Sequence, residues 1–453
     1  MDERKAKADA ESIFRAALSR VEPAALVRRA VRVEGHDPGT IVVEAALDEL
    51  RYPLVSFDRI LVVGMGKAGA SMAAGLEEVL GDRISGGVVA VKGGYGESLR
   101  RIRLLEASHP VPDESSVRAA AEILRLASGL DERTLVFVLV SGGGSSLLCA
   151  PAEGVALEDK AAATRLLLRS GATIQEMNAI RKHLSAIKGG RLASALYPAS
   201  IVSLVISDVV GDDLDTIASG PTVPDQSTWA DALAAAKRRG VEDALPRSVS
   251  ELLLRGVEGE LPDTPKRGDA AFARARTLLV GNNRIALAAA EAKAHELGYN
   301  SLVLTSRLTG EAREAAQVLL GIGKDISASG FPLRAPACLL AGGETTVTLR
   351  GEGRGGRNQE MALAFLAGIA RSSADAERLS LLAASTDGGD GPTDAAGAFA
   401  SAAILKRALS EGLDVDDYLG RNDSYSFFDK LGELLRTGPT NTNVCDLQIL
   451  LAR

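Results

Sequence analysis

The chain has 453 residues, of which 46% are hydrophobic, 4% aromatic and 25% charged. This length exceeds what one hydrophobic core usually supports, so we expect two domains, and the apolar fraction excludes a disordered chain. The net charge of −7 argues against a nucleic-acid-binding protein, and no apolar stretch is long enough to predict a transmembrane helix. The charged N-terminal sequence lacks the apolar core of a secretory signal, and the three cysteines form no C-x-x-C pair. We therefore expect a soluble cytoplasmic protein with no membrane or nucleic-acid partner.

The first half of the sequence alternates apolar strands with amphipathic helices. The first strong strand, RILVVGMG (residues 59–66), runs directly into the helical sequence KAGASMAAGLEEVL. Further predicted strands are GGVVAVKGG, RIRLLEAS, TLVFVLVSGGG and SIVSLVISDVV. Continuous Val, Leu and Ile runs that alternate with helices are typical of a parallel sheet covered on both faces. The pattern predicts a Rossmann-like, doubly wound α/β domain with a mostly parallel sheet over residues 1–224.

Residues 225–275 differ in character, since they mix a helical stretch with ALPRS, ELPDTPKRGD and the only tryptophan, Trp229. We interpret them as a hinge or crossing segment. The alternation of strands and helices then restarts at RTLLVGNN and continues through ACLLAGGETTVTL, NQEMALAFLAGIA and LSLLAASTDGGDG. This predicts a second α/β domain over residues 276–453.

Ligands of open α/β sheets bind at the carboxyl ends of the strands, so the loops after the predicted strands are the candidate site. The turn after the first strand contains Gly64, Gly66 and Lys67. A lysine beside the free N–H groups of a helix N-terminus forms an anion site; the alternative is a tight turn with a solvated lysine. A dinucleotide fingerprint is disfavoured by Lys67 itself and by Lys92, which stands where an acidic residue would bind the ribose.

A second predicted strand is followed by the glycine-rich run of residues 141–146, SGGGSS. Such a run can aim backbone N–H groups at phosphate oxygens, although a flexible loop has the same composition. It lacks the G-x-S-x-G elbow of a nucleophilic serine. Two other strand ends carry polar candidates, His109 and Asp208, and the alternative for His109 is a plain turn residue.

The loop TDGGDGPTDAAG contains Asp387, Asp390 and Asp394 with no basic residue between them. Such a cluster is costly unless it is solvated or neutralised by a cation. The spacing differs from an EF-hand and suits Mg²⁺ held by one or two carboxylates plus phosphate oxygens; the alternative is a polar turn. Arg357, just before an apolar helix, could bind a carboxylate or phosphate through two N–H groups, although a lone arginine is more often a surface residue.

Seven longer motifs follow one another along the chain: GMGKA, SGGGSSLL, NAIRKHLSAIKGGRLA, ISDVVGDDLDTIASGPTVPD, GGETTVTLRGEGRGGRNQE, STDGGDGPTDAAGA and TGPTNTNVCDLQI. In sequence and order they resemble the motifs of the type 2 glycerate kinases, also called the MOFRL glycerate kinase family. The resemblance covers nearly the whole chain. It departs in the last loop, where the family usually has GPTGTNVND and this chain has Asn441 and Cys445 in place of Gly and Asn.

The resemblance implies two α/β domains, the second of MOFRL type, with the active site in the cleft between them. It implies transfer of the γ-phosphoryl group of ATP to D-glycerate, which gives 2-phosphoglycerate and ADP, with Mg²⁺ as cofactor. The partners would be these small molecules, and the protein would be a monomer or a homodimer of carbohydrate metabolism.

Residue roles follow from the same resemblance. Lys67 would neutralise the transferring phosphoryl group or hold the substrate carboxylate, Arg357 would stabilise the phosphoryl oxygens, and Asp208 would orient or deprotonate the glycerate hydroxyl. Asp387 and Asp390 would hold Mg²⁺. The positions expected to bind phosphate or substrate are Gly64, Gly66, Ser141, Gly142, Gly143, Gly144, Ser145, Glu344, Asn358 and Asn443.

Two other classes stay open. A glycine-rich turn after the first strand could serve an NAD(P)H-dependent hydroxypyruvate reductase, although the missing acidic ribose partner and the acid-rich loop count against it. A non-catalytic nucleotide sensor is disfavoured by the many reactive groups at strand ends.

Overall fold

The computed structural model describes residues 3–35, 38–46, 48–372 and 374–453. The chain divides into two compact units: Pro23–Val280, called here the first unit, and the chain up to Glu22 together with Gly281–Arg453, called the second unit. In the described part of the chain no helix is long and apolar enough to cross a membrane.

Strands and helices alternate through most of the chain. The strands are β1 (Val31–Glu34), β2 (Thr40–Ala45), β3 (Asp48–Pro53), β4 (Arg59–Met65), β5 (Gly86–Lys92), β6 (Ile102–Ala107), β7 (Thr134–Val140), β8 (Ser200–Ile206), β9 (Ala275–Gly281), β10 (Asn300–Leu308), β11 (Ala337–Gly343), β12 (Leu379–Ser385), β13 (Gly397–Ser401), β14 (Leu434–Leu435) and β15 (Asp446–Ala452). The helices are α1 (Glu3–Arg20), α2 (Pro23–Ala30), α3 (Gly69–Leu80), α4 (Glu114–Ala127), α5 (Gly144–Leu147), α6 (Leu157–Arg169), α7 (Ile174–His183), α8 (Arg191–Leu196), α9 (Trp229–Arg238), α10 (Arg247–Val257), α11 (Asn283–Glu296), α12 (Ala312–Ser329), α13 (Arg357–Ala370), α14 (Ala402–Ser410), α15 (Val415–Gly420) and α16 (Ser424–Leu431).

The central sheet of the first unit is 6-stranded, in the order β6-β5-β4-β7-β8-β9. The pairings from β6 to β8 are parallel, and Val63 of β4, for example, lies opposite Val88 of β5 and Val138 of β7. Every residue of β7 and β8 is buried, as expected for strands with both faces covered. The predicted Rossmann-like, mostly parallel sheet is confirmed.

A small antiparallel sheet of β1, β2 and β3 adds to the first unit and was not predicted. Only its middle strand buries an apolar run, Ile41 to Val43. The outer strands are polar and are joined by ion pairs such as that of Arg51 with Glu34, at 2.5 Å. No apolar run therefore marks them in the sequence.

Residues 225–275 lie within the first unit and do not form the predicted hinge. Their helices α9 and α10 share an apolar core with residues of α6 and α7. Trp229 is buried in this core, where its ring centroid lies 4.5 Å from that of His183 and its Nε1 donates to the carbonyl of Pro262 at 3.2 Å. The segment folds with the first unit because its helices are amphipathic and bury their apolar faces there.

Two further domain boundaries differ from the prediction. β9, expected to open the second domain, completes the sheet of the first unit, where the N–H of Ile201 donates to the carbonyl of Arg274 at 2.9 Å. Helix α1, expected in the first domain, belongs to the second unit, in which its Asp9 accepts a hydrogen bond from the Tyr299 hydroxyl at 2.8 Å. An amphipathic pattern predicts a helix but does not specify which of two cores it covers.

The sheet of the second unit is also 6-stranded, in the order β10-β11-β15-β12-β13-β14. β10 and β11 are parallel, whereas β15 is antiparallel to both of its neighbours, β11 and β12. This is a mixed α/β unit, which confirms the second α/β domain. The register places Asp446, the first residue of β15, opposite Gly343 at the end of β11 and Ser385 at the end of β12.

Candidate active site

The turn after β4 is held tightly against the end of β7. A Cβ atom at Gly64 would lie 2.8 Å from the carbonyl oxygen of Leu139, and one at Gly66, whose φ is +132°, would lie 2.1 Å from the Ser141 hydroxyl oxygen. The N–H of Lys67 donates to the carbonyl of Gly142 at 2.8 Å. Packing alone therefore explains why both positions are glycine, independently of any ligand, because a side chain at either one would keep the two strand ends apart.

Lys67 and His109 meet over the glycine-rich loop. A Cβ atom at Gly143, whose φ is +81°, would lie 2.9 Å from His109 Cδ2 and 3.4 Å from Lys67 Cγ. Both side chains are half-buried. Glycine is required here because any side chain would enter the space that these two residues share.

Asp208, which follows β8, lies against the same loop at Gly142. Its Oδ2 lies 2.2 Å from the position that a Cβ atom at Gly142 would take. Gly142 thus permits a carboxylate to contact the backbone directly. The structure brings three sequence-predicted groups, Lys67, His109 and Asp208, around two neighbouring glycines.

The serines of the loop are engaged within the protein. Ser141 is buried, and its hydroxyl accepts a hydrogen bond from the N–H of Ala68 at 3.1 Å. The Ser145 hydroxyl lies 3.0 Å from the Ser219 hydroxyl, and a Cβ atom at Gly144 would lie 2.8 Å from Met65 Cγ. Ser141 and Gly144 are therefore packed inside the protein and support the loop, while Ser145 is half-buried.

In the second unit, Arg357 begins α13 and binds Asp446 at the edge of the sheet. Its Nε and Nη2 donate to the two carboxylate oxygens of Asp446 at 2.5 and 2.9 Å, and its Nη1 lies 2.9 Å from Glu344 Oε1. The Arg357 side chain is 28% exposed and that of Asp446 is fully buried. Arg357, predicted to bind a carboxylate or phosphate, is thus already ion-paired within its own unit.

The charge of Arg357 is secured by this pairing. Burial favours the neutral form, but the hydrogen bonds and negative charge of Asp446 outweigh it and raise the pKa of the guanidinium. A guanidinium carries five N–H donors, and three are directed at carboxylates here. One N–H on each of Nη1 and Nη2 remains for another oxygen ligand.

Asp390, expected to bind Mg²⁺, stabilises the start of α13. Its carboxylate accepts hydrogen bonds from the N–H of Asn358 at 3.1 Å and the N–H of Gln359 at 2.9 Å, and from Asn358 Nδ2 at 3.2 Å. Burial raises the pKa of Asp390 to about 6. The negative charge of Asp446 also raises this pKa, whereas the N–H donors lower it. Both carboxylate oxygens of Asp390 are thus hydrogen-bonded within the protein, and its role as a Mg²⁺ ligand stays a prediction.

Asp387 and Asp394 have different surroundings. Asp387 is half-buried after β12, where its Oδ1 accepts from the Ser385 hydroxyl at 2.9 Å and from the N–H of Gly389 at 3.0 Å. Asp394 accepts from the Tyr425 hydroxyl and pairs with Arg436. Among the described residues no three His, Cys, Asp or Glu side chains form a group that could hold a metal ion. A single carboxylate such as that of Asp387 is compatible with a site in which phosphate oxygens supply the other ligands.

The remaining predicted residues also support the loops. Asn443 Oδ1 accepts from the N–H of Cys445 at 3.1 Å, inside the last loop. Asn441 and Cys445 both have left-handed backbone, with φ of +60° and +67°. The two departures from the family motif therefore fall where Gly or Asn is favoured.

Comparison with known proteins supplies the family. The MOFRL family pattern matches residues 337–446, and a pattern described as "Domain of unknown function (DUF4147)" matches residues 9–254. The chain is 42% identical to a D-glycerate 2-kinase of Thermotoga maritima, over 94% of this chain and 99% of that protein. The chain belongs to the MOFRL glycerate kinase family.

A solved structure agrees with this assignment. The crystal structure of a glycerate kinase from Thermotoga maritima matches with a TM-score of 0.85 at 40% identity, over 99% of this chain and 100% of that one. Another similar protein, from Agrobacterium vitis, is 47% identical over 87% of both chains and carries the provisional name hydroxypyruvate reductase.

Some residues of this glycerate kinase family member were not predicted to have a role. Asp446 holds Arg357, and Asn283 Nδ2 donates to the carbonyls of Val444 and Asp446 at 2.8 and 3.0 Å. Lys188 donates from its Nζ to the carbonyl of Ser145 at 2.9 Å, below the glycine-rich loop. Asp446 and Lys188 lie inside motifs quoted above, so motif membership was the available signal.

Proposed function

We propose that this protein transfers the γ-phosphoryl group of ATP to the 2-hydroxyl of D-glycerate, forming 2-phosphoglycerate and ADP. The observation that carries the proposal is the meeting of Lys67, His109 and Asp208 over Gly142 and Gly143. A cation and a carboxylate beside the backbone of a glycine-rich loop suit phosphoryl transfer, which depends on positioning and charge neutralisation. The family supplies the identity of the acceptor.

The reaction needs a proton acceptor and a cation. The glycerate hydroxyl oxygen forms a bond to the γ-phosphorus while the bond from that phosphorus to the β,γ-bridging oxygen breaks, and ADP leaves. Asp208 accepts the hydroxyl proton, and Lys67 neutralises charge on the phosphoryl oxygens. The partial burial of Lys67 strengthens its attraction to the phosphoryl oxygens, because the surrounding dielectric constant is lower than that of water.

Arg357 can bind a phosphate or carboxylate oxygen through its two remaining N–H groups. Asp446 fixes the plane of its guanidinium, so little side-chain entropy is lost when it binds a phosphate or carboxylate oxygen. Glu344, the more exposed partner, is the one a ligand oxygen can displace.

Mg²⁺ belongs to the proposal as the nucleotide's counter-ion. When bound, it supplies neutralisation of the phosphate charge. Asp387 would hold it together with phosphate oxygens, whereas the carboxylate of Asp390 already accepts hydrogen bonds from the start of α13. The widely spaced cysteines support a reducing, cytoplasmic setting for this activity.

One experiment separates this function from the hydroxypyruvate reductase suggested by the Agrobacterium relative. The protein is given ATP, Mg²⁺ and D-glycerate while ADP is measured, and separately NADH or NADPH with hydroxypyruvate while absorbance is followed. Lys92, at the end of β5, replaces the acidic ribose ligand of a dinucleotide site, so we expect ADP formation and no oxidation of either cofactor. Cofactor oxidation without glycerate-dependent ADP would overturn the kinase proposal.

A further inference from the structure

A cavity of about 390 Å³ lies in the first unit, beside the glycine-rich loop. Its walls come from the loop after β6, the loop after β7, and helices α6 and α7 with the residues that follow α7. Gly143 and His109 line it as well, and a Cβ atom at Gly143 would lie 3.4 Å from Lys67 Cγ. The cavity therefore opens next to the group proposed to neutralise the transferring phosphoryl.

Two buried lysines line this cavity without a carboxylate. Lys160 and Lys188 are 6% and 3% exposed, and their Nζ atoms donate to the backbone carbonyls of Leu184 and Ser145 at 2.8 and 2.9 Å. Within the part of the chain that the structure describes, neither forms an ion pair, and nor does the half-buried Arg181 beside them. Burial without a counter-charge lowers the pKa of Lys160 to about 8 and that of Lys188, beside Lys160, to about 7.

Lys182 shows that other buried lysines of the first unit do have a carboxylate partner. It is buried on the same helix as Arg181, yet it is paired with the carboxylates of Asp215 and Asp225. Buried cations are costly unless paired, so the cavity gains stability when an anion occupies it. Several close cations suit a ligand with several negative charges.

Part of the remaining cavity wall is polar, including the exposed Arg165, and part of it is apolar. Val111 and Leu168, which are 59% and 56% exposed, line it together with Pro110 and Pro112. The volume lies within the range of pockets that take drug-sized ligands, and is larger than a three-carbon acid needs. An occupant with a polyanionic end and a flat apolar end matches both parts of the wall.

We propose that this cavity binds the nucleotide, with its phosphate groups on Lys160, Arg181 and Lys188 and its base against Val111 and Leu168. The proposal rests on the proposed function, which makes ATP a substrate. The phosphate chain then extends towards Gly143 and Lys67, which places the γ-phosphoryl group where Asp208 and Lys67 act. The cavity lies wholly within the first unit, so this unit's own residues determine nucleotide affinity.

The test measures equilibrium binding of ADP, inorganic tripolyphosphate and 2-phosphoglycerate to the full-length protein by calorimetry. Lys188→Met should weaken ADP and tripolyphosphate about tenfold to hundredfold, the loss expected for one hydrogen bond from a charged donor. Leu168→Ser should weaken ADP about threefold to tenfold and leave tripolyphosphate unchanged, because only the base contacts the apolar wall. Lys237→Met, at an exposed lysine of α9, is the matched control.

The outcomes separate the claims. An ADP affinity that changes less than twofold in both variants overturns the nucleotide site, even if glycerate-dependent ADP formation by the unaltered protein supports the kinase. Selective loss of 2-phosphoglycerate binding in Lys188→Met would overturn it in favour of an acceptor site. Leu168→Ser lies on an exposed helix face and should fold normally, so it decides the question if Lys188→Met is unstable.

Discussion

The guanidinium of Arg357 and the buried carboxylate of Asp446 are joined by two parallel hydrogen bonds, at 2.5 and 2.9 Å. This pair links the first residue of α13 to the first residue of β15. The predicted phosphate-binding arginine is thus part of the packing of its own unit. Its removal should affect folding as well as catalysis.

Arg357→Ala should lower the free energy of unfolding by about 3–5 kcal/mol, because it leaves Asp446 buried without a counter-charge. Denaturant unfolding measures this change. Arg354→Ala is the matched control, since Arg354 is exposed in the same loop and stacks on Tyr425. Adding Asp446→Asn to Arg357→Ala should recover part of the loss; no recovery would contradict the proposed cause.

Lys67→Ala should damage catalysis without damaging the fold. The turn is held by the N–H of residue 67, which alanine retains, so stability should change by about 0.5 kcal/mol or less. Turnover should fall about 100- to 1000-fold, as for removal of one donor to developing charge. Lys67→Arg should recover only part of it. The measurements are kcat, KM and Tm, with Lys237→Ala as control; near-normal turnover in Lys67→Ala would move its role to Arg357.

The Mg²⁺ dependence of activity should distinguish Asp387 from Asp394 in the loop after β12. EDTA should abolish activity and excess Mg²⁺ should restore it. Asp387→Asn should raise the Mg²⁺ concentration for half-maximal activity about tenfold or more, whereas Asp394→Asn, whose carboxylate pairs with Arg436, should leave it unchanged. Full turnover in excess EDTA would remove the metal from this account.

Nucleotide affinity should fall as pH rises. Lys160 on α6, Arg181 on α7 and the thiol of Cys149 face Lys188, whose pKa is lowered to about 7 by burial and then by Lys160. Its folded-state pKa lies below the unfolded value of about 10.4, so this group's contribution to stability rises with pH between these values. A bound anion favours the protonated lysine instead.

ADP binding should therefore weaken by up to about tenfold per pH unit for each of the two lysines between about pH 7.5 and pH 9.5, with proton uptake on binding. Calorimetry in two buffers of different ionisation enthalpy measures the uptake. Lys188→Met should reduce both the slope and the uptake, leaving the share of Lys160. A pH-independent affinity in the unaltered protein would contradict the role of these lysines.

The sequence predicted the parts of the fold that long apolar runs mark. TLVFVLV and SIVSLVI are buried at every residue, and their apolar continuity alone indicates a covered parallel sheet. The sequence did not predict which unit each element joins. Helix α1 and the segment around Trp229 are amphipathic, and an apolar helix face does not specify which of the two cores it packs against.

The candidate site was predictable by residue type more than by role. Lys67 and Asp208 follow strands, where parallel-sheet geometry gathers ligand-binding groups. Asp390 has the same sequence signature as Asp387, yet one binds the N–H groups of α13 and the other does not. Burial of Lys160 and Lys188 could not be anticipated, because lysines are almost always exposed.

Formation of 2-phosphoglycerate from D-glycerate and ATP with Mg²⁺ tests the proposed activity. Enolase, which acts on the 2-phosphate and not on the 3-phosphate, is added to the product while ADP is measured in parallel. We expect ADP and enolase-competent product to form in equal amounts and only when glycerate is present. ADP formation that does not depend on glycerate, or a product that enolase leaves unchanged, would contradict it.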